Sequence, residues 1–350
     1  MKRILVALAI SAVLAGFGFV FANRTPASPD TSAIPSRSFE FTYVVHVPVL
    51  PSGAKEISLW IPLPYEERFQ LISNEKIQAP SRYRIETEPQ YHDRYAYLTL
   101  TAAQASKPVD ITVSFHAQRF EHRVSLTRTD APVTSMLYNT TRFLQPDRLV
   151  PSSPEIAAIS DRVTQGAPTD LDKASKLYDY VIANMHYDHD GTDWGRGDAV
   201  WACDSHHGNC TDFHSLFIAL ARAQSIPAAF EIGFPLPLDK HEGPVTSYHC
   251  WALFYAQGIG WVPIDASEAW KHKDKMDYFF GAVDQNRIKM SLGRDITLRP
   301  PQKGAALNYF VYTYAEVDGQ PFTGIKSDYS FRDDPVPGEP ATTTAAKGAD

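Results

Sequence analysis

The chain has 350 residues, more than one typical domain contains. Hydrophobic residues make up 44% and charged residues 21%, so the chain can bury a sizeable core and is not disordered as a whole. The formal net charge is −7 and no run of Lys or Arg is present, which argues against nucleic acid as a partner. Three cysteines are too few for a disulfide scaffold, and their odd number leaves at least one thiol unpaired within the chain.

Residues 1–22 predict a signal peptide for export. Met1-Lys2-Arg3 gives a positively charged start, residues 4–21 are almost entirely apolar, and Ala22 is a small residue at a suitable cleavage position. The apolar stretch is long for a signal and barely long enough to span a bilayer, so an uncleaved anchor is the alternative to cleavage after Ala22. In either case the rest of the chain is exported, and we expect contact with a membrane only through this segment.

Residues 23–37 are rich in Pro, Ser, Thr and Ala and predict a linker. Over residues 38–125 the hydrophobic period is two, which is the period of half-buried strands, and turn residues separate the runs. Several short strands at this spacing predict a small β-sandwich that packs or binds without chemistry of its own. The alternating apolar residues are Phe39, Phe41, Tyr43, Val45, Val47, Ile57, Leu59, Ile61, Ile111, Val113 and Phe115.

The pattern changes to that of helices near Asp170. This residue can cap a helix with an apolar stripe at helical spacing, and a second helix begins close to Cys210 after a loop over residues 186–208. The stripe consists of Leu171, Ala174, Leu177, Tyr178, Val181, Ile182 and Met185.

The second half of the chain contains further strands and a polar tail. Strands are predicted at 228–234, 248–255, 261–265 and 307–317. We therefore divide this half into a core at 146–270, a strand-rich C-terminal extension of that core at 271–332 and a disordered tail at 333–350.

Cys210 stands in the segment Gly208-Asn209-Cys210-Thr211-Asp212, where the second helix begins. A thiol at a helix N-terminus faces unpaired backbone N–H groups and the positive end of the helix dipole, and both stabilise the thiolate. Gly208 lets the backbone turn sharply and leaves space for a substrate. Cys210 is therefore a candidate nucleophile.

His249 and Asp265 lie on two strands that a glycine-containing turn joins into a hairpin. If Tyr255 pairs with Trp261, then Trp251 faces Asp265, and His249 is a diagonal neighbour of Asp265 on the same face. A carboxylate there can hold one imidazole nitrogen and orient the other towards a thiolate. A register slip of one residue would move Asp265 to the other face, so this arrangement depends on the pairing.

Each of these three residues alone has a structural interpretation, because a buried Cys usually packs as a small hydrophobe and an Asp at a strand end is usually a cap. Their order and the helix-start position of the cysteine favour catalysis. A structural zinc site is the competing interpretation of five nearby residues, although their spacing lacks a CxxC or HxxxH pair. We expect no metal and no cofactor. The five residues are Cys203, His206, His207, Cys210 and His214.

The segments GNCTDFHSLFIALARAQSIPAAFEIGFPLP and YHCWALFYAQGIGWVPIDASEAW resemble the transglutaminase-like superfamily. The resemblance is strong from roughly residue 149 to 270. It implies an α+β fold with a papain-like core, in which the helix carrying Cys210 packs on an antiparallel sheet carrying His249 and Asp265. It further implies a bacterial protein, periplasmic or secreted, because exported bacterial members often carry an N-terminal β-domain. Nucleophile, base and orienting acid map onto these three residues in that order.

The resemblance implies a cysteine enzyme that cleaves or transfers amide or isopeptide bonds through a thioester on Cys210. The superfamily includes transamidases, proteases, other amide hydrolases and inactive members. Hydrolysis is slightly favoured, because water is always available and crosslinking needs a site that excludes it. We expect protein or peptide substrates of the cell envelope. The alternative is a catalytically silent binding or assembly protein.

Other residues are candidates for contacts with the substrate or for the oxyanion hole. The backbone N–H of Cys210 supplies one donor, and an indole N–H or a side chain between Trp194 and Asn209 supplies the second. Trp201 and Trp251 either pack in the core or flank the acyl group, as does Trp194.

The two remaining thiols are expected to lie away from these residues. Cys250 follows His249, so it should point to the opposite face of the strand. A disulfide between Cys203 and Cys250 is one possible outcome in an oxidising compartment.

Overall fold

The computed structural model describes residues 34–127 and 140–335. The signal at 1–22, most of the linker at 23–37 and the tail from residue 336 onward lie outside the described residues. None of the helices in the described ranges has the length and apolar character that crossing a bilayer requires. All of the described helices and strands belong to the compact unit that begins at Pro35.

Within residues 36–123 the regular elements are all strands. They are β1 (Ser36–Val47), β2 (Glu56–Leu63), β3 (Gln70–Gln78), β4 (Tyr83–Thr87), β5 (Arg94–Thr101), β6 (Val109–Phe120) and β7 (His122–Arg123).

The middle and C-terminal parts mix helices with strands. In chain order they are α1 (Pro154–Val163), α2 (Asp170–Asn184), β8 (His186–Tyr187), α3 (Ala199–Ser205), β9 (His207–Gly208), α4 (Cys210–Ala223), β10 (Ala228–Pro235), β11 (Glu242–Val245), β12 (His249–Ala256), β13 (Gly260–Ile264), α5 (Ala266–Lys271), α6 (Met276–Phe279), β14 (Ala282–Val283), β15 (Arg287–Leu292), β16 (Tyr314–Val317), β17 (Gln320–Pro321) and β18 (Lys326–Asp333). Short 3₁₀ helices occupy Arg142–Leu144 and Lys273–Lys275.

Strands β1 to β6 lie in a sandwich of two five-stranded antiparallel sheets, which also contain four strands from later in the chain. The strand orders are β11-β18-β1-β6-β3 and β17-β16-β2-β5-β4. The alternating apolar side chains face inward as predicted. Phe41, Leu59 and Val113, for example, are fully buried in one hydrophobic cluster. The period-two pattern therefore marks the inner faces of the two sheets.

C-terminal strands complete the sandwich, which corrects the predicted division of the chain. β18 pairs with β1, with Phe331 opposite Phe41, and β16 pairs with β2. Of the extension predicted at 271–332, β15 joins the sheet of the core, whereas β16, β17 and β18 belong to the sandwich. β11, within the predicted core range 146–270, also pairs with β18. Local periodicity carries no information on partners so far apart in sequence.

The core is an α+β arrangement built on a four-stranded antiparallel sheet of order β13-β12-β10-β15. α4 packs on β10 and β12, and α1, α2 and α3 pack around α4. The predicted helix at Asp170 is α2, although Thr169 rather than Asp170 caps it. The predicted loop at 186–208 is wrong in part, because Asp198 caps the short helix α3 within it.

α4 is buried on all sides, because it lies between the sheet and three helices. Every residue from 210 to 221 is buried. Its N-terminal end is thereby fixed against β12, the strand that begins at His249.

Candidate active site

Cys210 is the first residue of α4 and is 2% exposed. Asn209 caps the helix, since its Oδ1 accepts the N–H of Thr211 at 2.9 Å. In return Asp212 Oδ2 accepts the N–H of Asn209 at 2.9 Å. Gly208 has a φ of +140°, and a Cβ there would lie 2.4 Å from Asp212 Oδ2. Glycine is therefore required before this cap, which holds the thiol at the positive end of the helix dipole.

The hairpin of β12 and β13 has the predicted register, with Tyr255 opposite Trp261. His249 Nε2 lies 2.7 Å from Asp265 Oδ2. Asp265 directly follows β13 and caps α5 by accepting the N–H of Glu268 at 3.0 Å. One carboxylate thus caps a helix and binds the imidazole, a combination that the sequence analysis treated as alternatives.

Asp265 is fully buried and is held by several donors besides His249. Ser267 Oγ donates at 3.0 Å and Arg287 Nη1 donates at 2.8 Å. Arg287, on β15, also donates to Asp284 at 3.0 Å. Burial alone would raise the pKa of Asp265, but the charges of His249 and Arg287 outweigh it and hold that pKa well below its ordinary value.

The charges of Cys210 and His249 depend on each other. Burial opposes the imidazolium, but the charge and hydrogen bond of Asp265, together with the neighbouring Cys210, outweigh burial and raise the pKa of His249 to about 10. Burial also opposes the thiolate, but hydrogen bonds from Cys250 and His249 hold the pKa of Cys210 well below its ordinary value. Both shifts favour a thiolate–imidazolium pair, which is the activated state of a cysteine nucleophile.

His214 lies one turn after Cys210 on α4 and hydrogen-bonds backbone groups of two segments of the site. Its Nδ1 lies 2.7 Å from the carbonyl oxygen of Cys210, and its Nε2 accepts the N–H of Ala266 at 3.1 Å. Because Nε2 accepts, the proton is on Nδ1, which donates to Cys210. Burial lowers the pKa of His214, in agreement with a neutral ring. His214 thus joins the start of α4 to the start of α5.

Cys250 lies on the Cys210 side of β12, so the prediction that it points away from the site is wrong. Its Sγ lies 3.5 Å from Nδ1 of His214, a residue of α4. The reason is that α4 packs on the face of β12 that carries Cys250, whereas His249 is the first residue of that strand. All three cysteines are free, so Cys203 and Cys250 do not form the disulfide that the sequence left open.

Tyrosines lie next to Cys210. Asn209 Nδ2 donates to Tyr248 Oη at 2.9 Å, and the ring of Tyr248 lies 5.7 Å from that of Tyr309 and 6.1 Å from that of Tyr312. Burial raises the pKa values of these phenols, and the charge of Cys210 adds to the effect. Tyr312 is 42% exposed, so the aromatic group extends from the thiol to the surface.

The three tryptophan candidates have other contacts. The indole N–H of Trp251 donates to Glu231 at 2.5 Å, and that of Trp194 donates to the carbonyl of Gly191 at 3.1 Å. Trp201 packs edge-on against a histidine of β9. The two engaged indoles are therefore not available as the second oxyanion donor.

Two histidines of the competing zinc interpretation make other contacts. His207 Nδ1 lies 2.8 Å from Asp188 Oδ1, and His214 binds backbone on both sides. Across residues 34–127 and 140–335, no three His, Cys, Asp or Glu side chains are placed to hold a metal ion.

Three residues of the site were not predicted as such: His214 was named only as a possible zinc ligand, Cys250 was expected to point away, and Arg287 was not named. His214 could have been found from its i,i+4 spacing to Cys210. Cys250 needed knowledge of which face of β12 receives α4. Arg287 could not be placed, because β15 pairs with β10 across an irregularity between Ile232 and Gly233.

The core is similar to known proteins. Residues 157–266, just under a third of the chain, match the model of the transglutaminase-like superfamily. An uncharacterized protein of Haemophilus influenzae is 26% identical, and the match covers 82% of this chain and 88% of that one.

Solved structures are similar to this chain. A Cytophaga hutchinsonii protein, called a "Putative Cysteine Protease", has a TM-score of 0.55 at 17% identity, covering 85% of this chain and 98% of that one. This likeness shows a shared fold. The periplasmic domain of TgpA from Pseudomonas aeruginosa has a TM-score of 0.36 at 13% identity, covering 69% and 93% of the two chains.

The lowered pKa of Cys210 predicts its reactivity with iodoacetamide. Alkylation should remain fast at about pH 6, where a free thiol of pKa ~8.5 is ionised to well under about 1%. Cys203 and Cys250 serve as internal controls, because both are buried and burial raises the pKa of each. Peptide mass mapping after timed alkylation measures all three. A rate for Cys210 that follows an ordinary thiol titration would contradict the thiolate.

Asp265→Asn should lower kcat by on the order of 10- to 10³-fold, less than in serine enzymes, because a thiolate–imidazolium pair needs less help from its carboxylate. Loss of the buried charge should also cost about 1–3 kcal/mol of unfolding free energy. The depressed pKa of Asp265 means that this stabilisation is present above about pH 4 and is lost as pH falls, so the difference from wild type should shrink in acid.

Asp284→Asn is the matched control for that substitution, because Asp284 shares Arg287 but does not contact His249. Its kcat should stay close to the wild-type value. Equal losses of activity in both variants would show that Asp265 acts through the fold alone.

Proposed function

The chain contains a transglutaminase-like domain, and we propose that it is a cysteine enzyme that cleaves or transfers amide or isopeptide bonds. The observation that carries the proposal is the buried row of Cys210, His249 and Asp265, in which His249 Nε2 lies 2.7 Å from Asp265 Oδ2 and the imidazole lowers the pKa of the Cys210 thiol. That row is the arrangement expected of an activated nucleophile, an acid–base group and its orienting acid.

In the first half of the reaction the Cys210 thiolate attacks the carbonyl carbon of the substrate. The negative oxygen that forms lies near the start of α4. The backbone N–H of Cys210 belongs to the first turn, where N–H groups have no acceptor within the helix, so it can donate to this oxygen. The His249 imidazolium then gives its proton to the departing amine. The C–N bond breaks and a thioester on Cys210 remains.

In the second half, neutral His249 takes a proton from the acceptor, which attacks the thioester and releases Cys210 as the thiolate. With water the product is a carboxylic acid, and with a primary amine it is a new amide. We favour water, because Tyr312 leaves the aromatic side of the site open to solvent.

We further propose that the protein acts in the periplasm or outside the cell on protein or peptide substrates of the envelope. The charged start and apolar run of residues 1–22 support export. N-terminal sequencing of the protein recovered from an envelope fraction should begin at residue 23. Recovery from the cytosol with Met1 intact would contradict export.

Intact-mass analysis with envelope peptides tests the reaction. Wild type mixed with peptides and a primary amine should give a transient hydroxylamine-sensitive adduct. The released peptides should gain either one water or one amine. Cys210→Ala should lower turnover by at least about 10³-fold with unchanged thermal melting, and Cys203→Ala is the control with full turnover. Tight peptide binding without any adduct in wild type would favour a silent binding protein instead.

A further inference from the structure

The proposed reaction needs a second donor to the negative oxygen, and two of the tryptophan candidates are engaged elsewhere. The indole N–H of Trp194 and that of Trp251 each donate to another oxygen of the chain. A different donor group lies at the start of α4. It is the hydroxyl of Tyr248, which accepts a hydrogen bond from Asn209 Nδ2 at 2.9 Å.

Tyr248 is connected to both reacting groups of the chain. It directly precedes His249, and the residue that its hydroxyl contacts, Asn209, directly precedes Cys210. Asn209 is 5% exposed and is itself fixed as the cap of α4, since its Oδ1 accepts the N–H of Thr211 at 2.9 Å. The phenol oxygen therefore lies at the end of α4 from which the N–H groups of the first turn point outward.

We propose that Tyr248 is a further catalytic residue, whose O–H donates a hydrogen bond to the negative oxygen of the tetrahedral intermediate, alongside the N–H of Cys210. This inference rests on the proposed function, because it assigns a role within that reaction. Asn209 is then the residue that positions the hydroxyl.

The hydrogen bonds of this hydroxyl suit it to donate to a stronger acceptor. It accepts the N–H of Asn209, whereas its own proton points to the carbonyl of Gly195 across 3.5 Å, well beyond the usual O–H···O distance of about 2.7–2.8 Å. A negative oxygen is a better acceptor than a neutral carbonyl at that distance. Accepting from Asn209 also polarises the O–H and makes it a stronger donor.

The hydroxyl is held in place by the packing of its own ring and by a fixed loop. The ring of Tyr248 lies 5.7 Å from that of Tyr309 and 6.1 Å from that of Tyr312. Asp212 accepts the N–H of Gly195 at 2.7 Å and thereby fixes the loop that faces the hydroxyl. A donor that is already in place needs no reorganisation when negative charge develops, and this is why such donors are effective.

The proposed role distinguishes two reactions of the same thiolate. Iodoacetamide is attacked at a saturated carbon, where Cys210 displaces iodide and no negative oxygen forms. p-Nitrophenyl acetate is attacked at its carbonyl carbon, so a tetrahedral oxyanion forms before p-nitrophenolate leaves and an acetyl thioester remains on Cys210. Loss of the hydroxyl should therefore slow acylation by about 10²-fold and leave alkylation unchanged.

The experiment measures both rates at Cys210 by peptide mass mapping after timed quenching at neutral pH. Tyr248→Phe removes the hydroxyl and keeps the ring, and Tyr329→Phe is the matched control. Tyr329 is a buried phenol whose ring lies 6.1 Å from that of Tyr312, so it belongs to the same aromatic packing. We expect slow acylation with normal alkylation in Tyr248→Phe only.

The alkylation rate also reports whether the variant keeps its fold around the thiol. Equal acylation rates in Tyr248→Phe and wild type would overturn the inference. An equal loss of acylation and alkylation would also overturn it, because the hydroxyl would then support the start of α4 rather than the intermediate. A wild-type Cys210 that forms no acetyl thioester would instead defeat the proposed function, so the two failures are distinguishable.

Discussion

A carboxylate that must stay charged without water is the constraint on which the site depends. Asp265 is fully buried, and taking a carboxylate out of water costs several kcal/mol unless partners replace the solvent. The chain supplies partners from three elements: the backbone and Ser267 of α5, the imidazole of β12 and the guanidinium of Arg287 on β15. With its charge maintained, Asp265 keeps His249 protonated, and His249 in turn favours the thiolate of Cys210.

A series of buried contacts runs from Arg287 to the sandwich. The guanidinium of Arg287 lies 5.0 Å from the ring of Trp251, whose indole donates to Glu231. Glu231 accepts from Lys289 at 2.8 Å. The amide of Gln70, at the start of β3, bonds both the N–H and the carbonyl of Lys289, at 2.8 and 3.0 Å. The sandwich is therefore joined to the four-stranded sheet of the core by buried hydrogen bonds and ion pairs.

The sequence allowed prediction of those features that depend on residues close together in the chain: strand faces, a hairpin register and a helix start. Alternation gave the inner faces of β1, β2 and β6, and the turn before Trp261 gave the register that brings His249 to Asp265. A helix-start cysteine needed only Gly208 and its cap. Contacts that depend on tertiary packing were out of reach: the pairing of β18 with β1, the face of β12 under α4, and hence the place of Cys250.

Because Arg287 and Lys289 lie two residues apart on β15, both point to one face of that strand. One reaches the carboxylate of the site and the other reaches Glu231 and the sandwich residue Glu67. The charge of Asp265 is thus set partly by a strand beyond residues 157–266, the range that matches the family. Cys, His and Asp in the right order define a scaffold for thiolate chemistry. Whether a chain with that order can keep its carboxylate charged depends on a cation such as Arg287, which the motif does not contain.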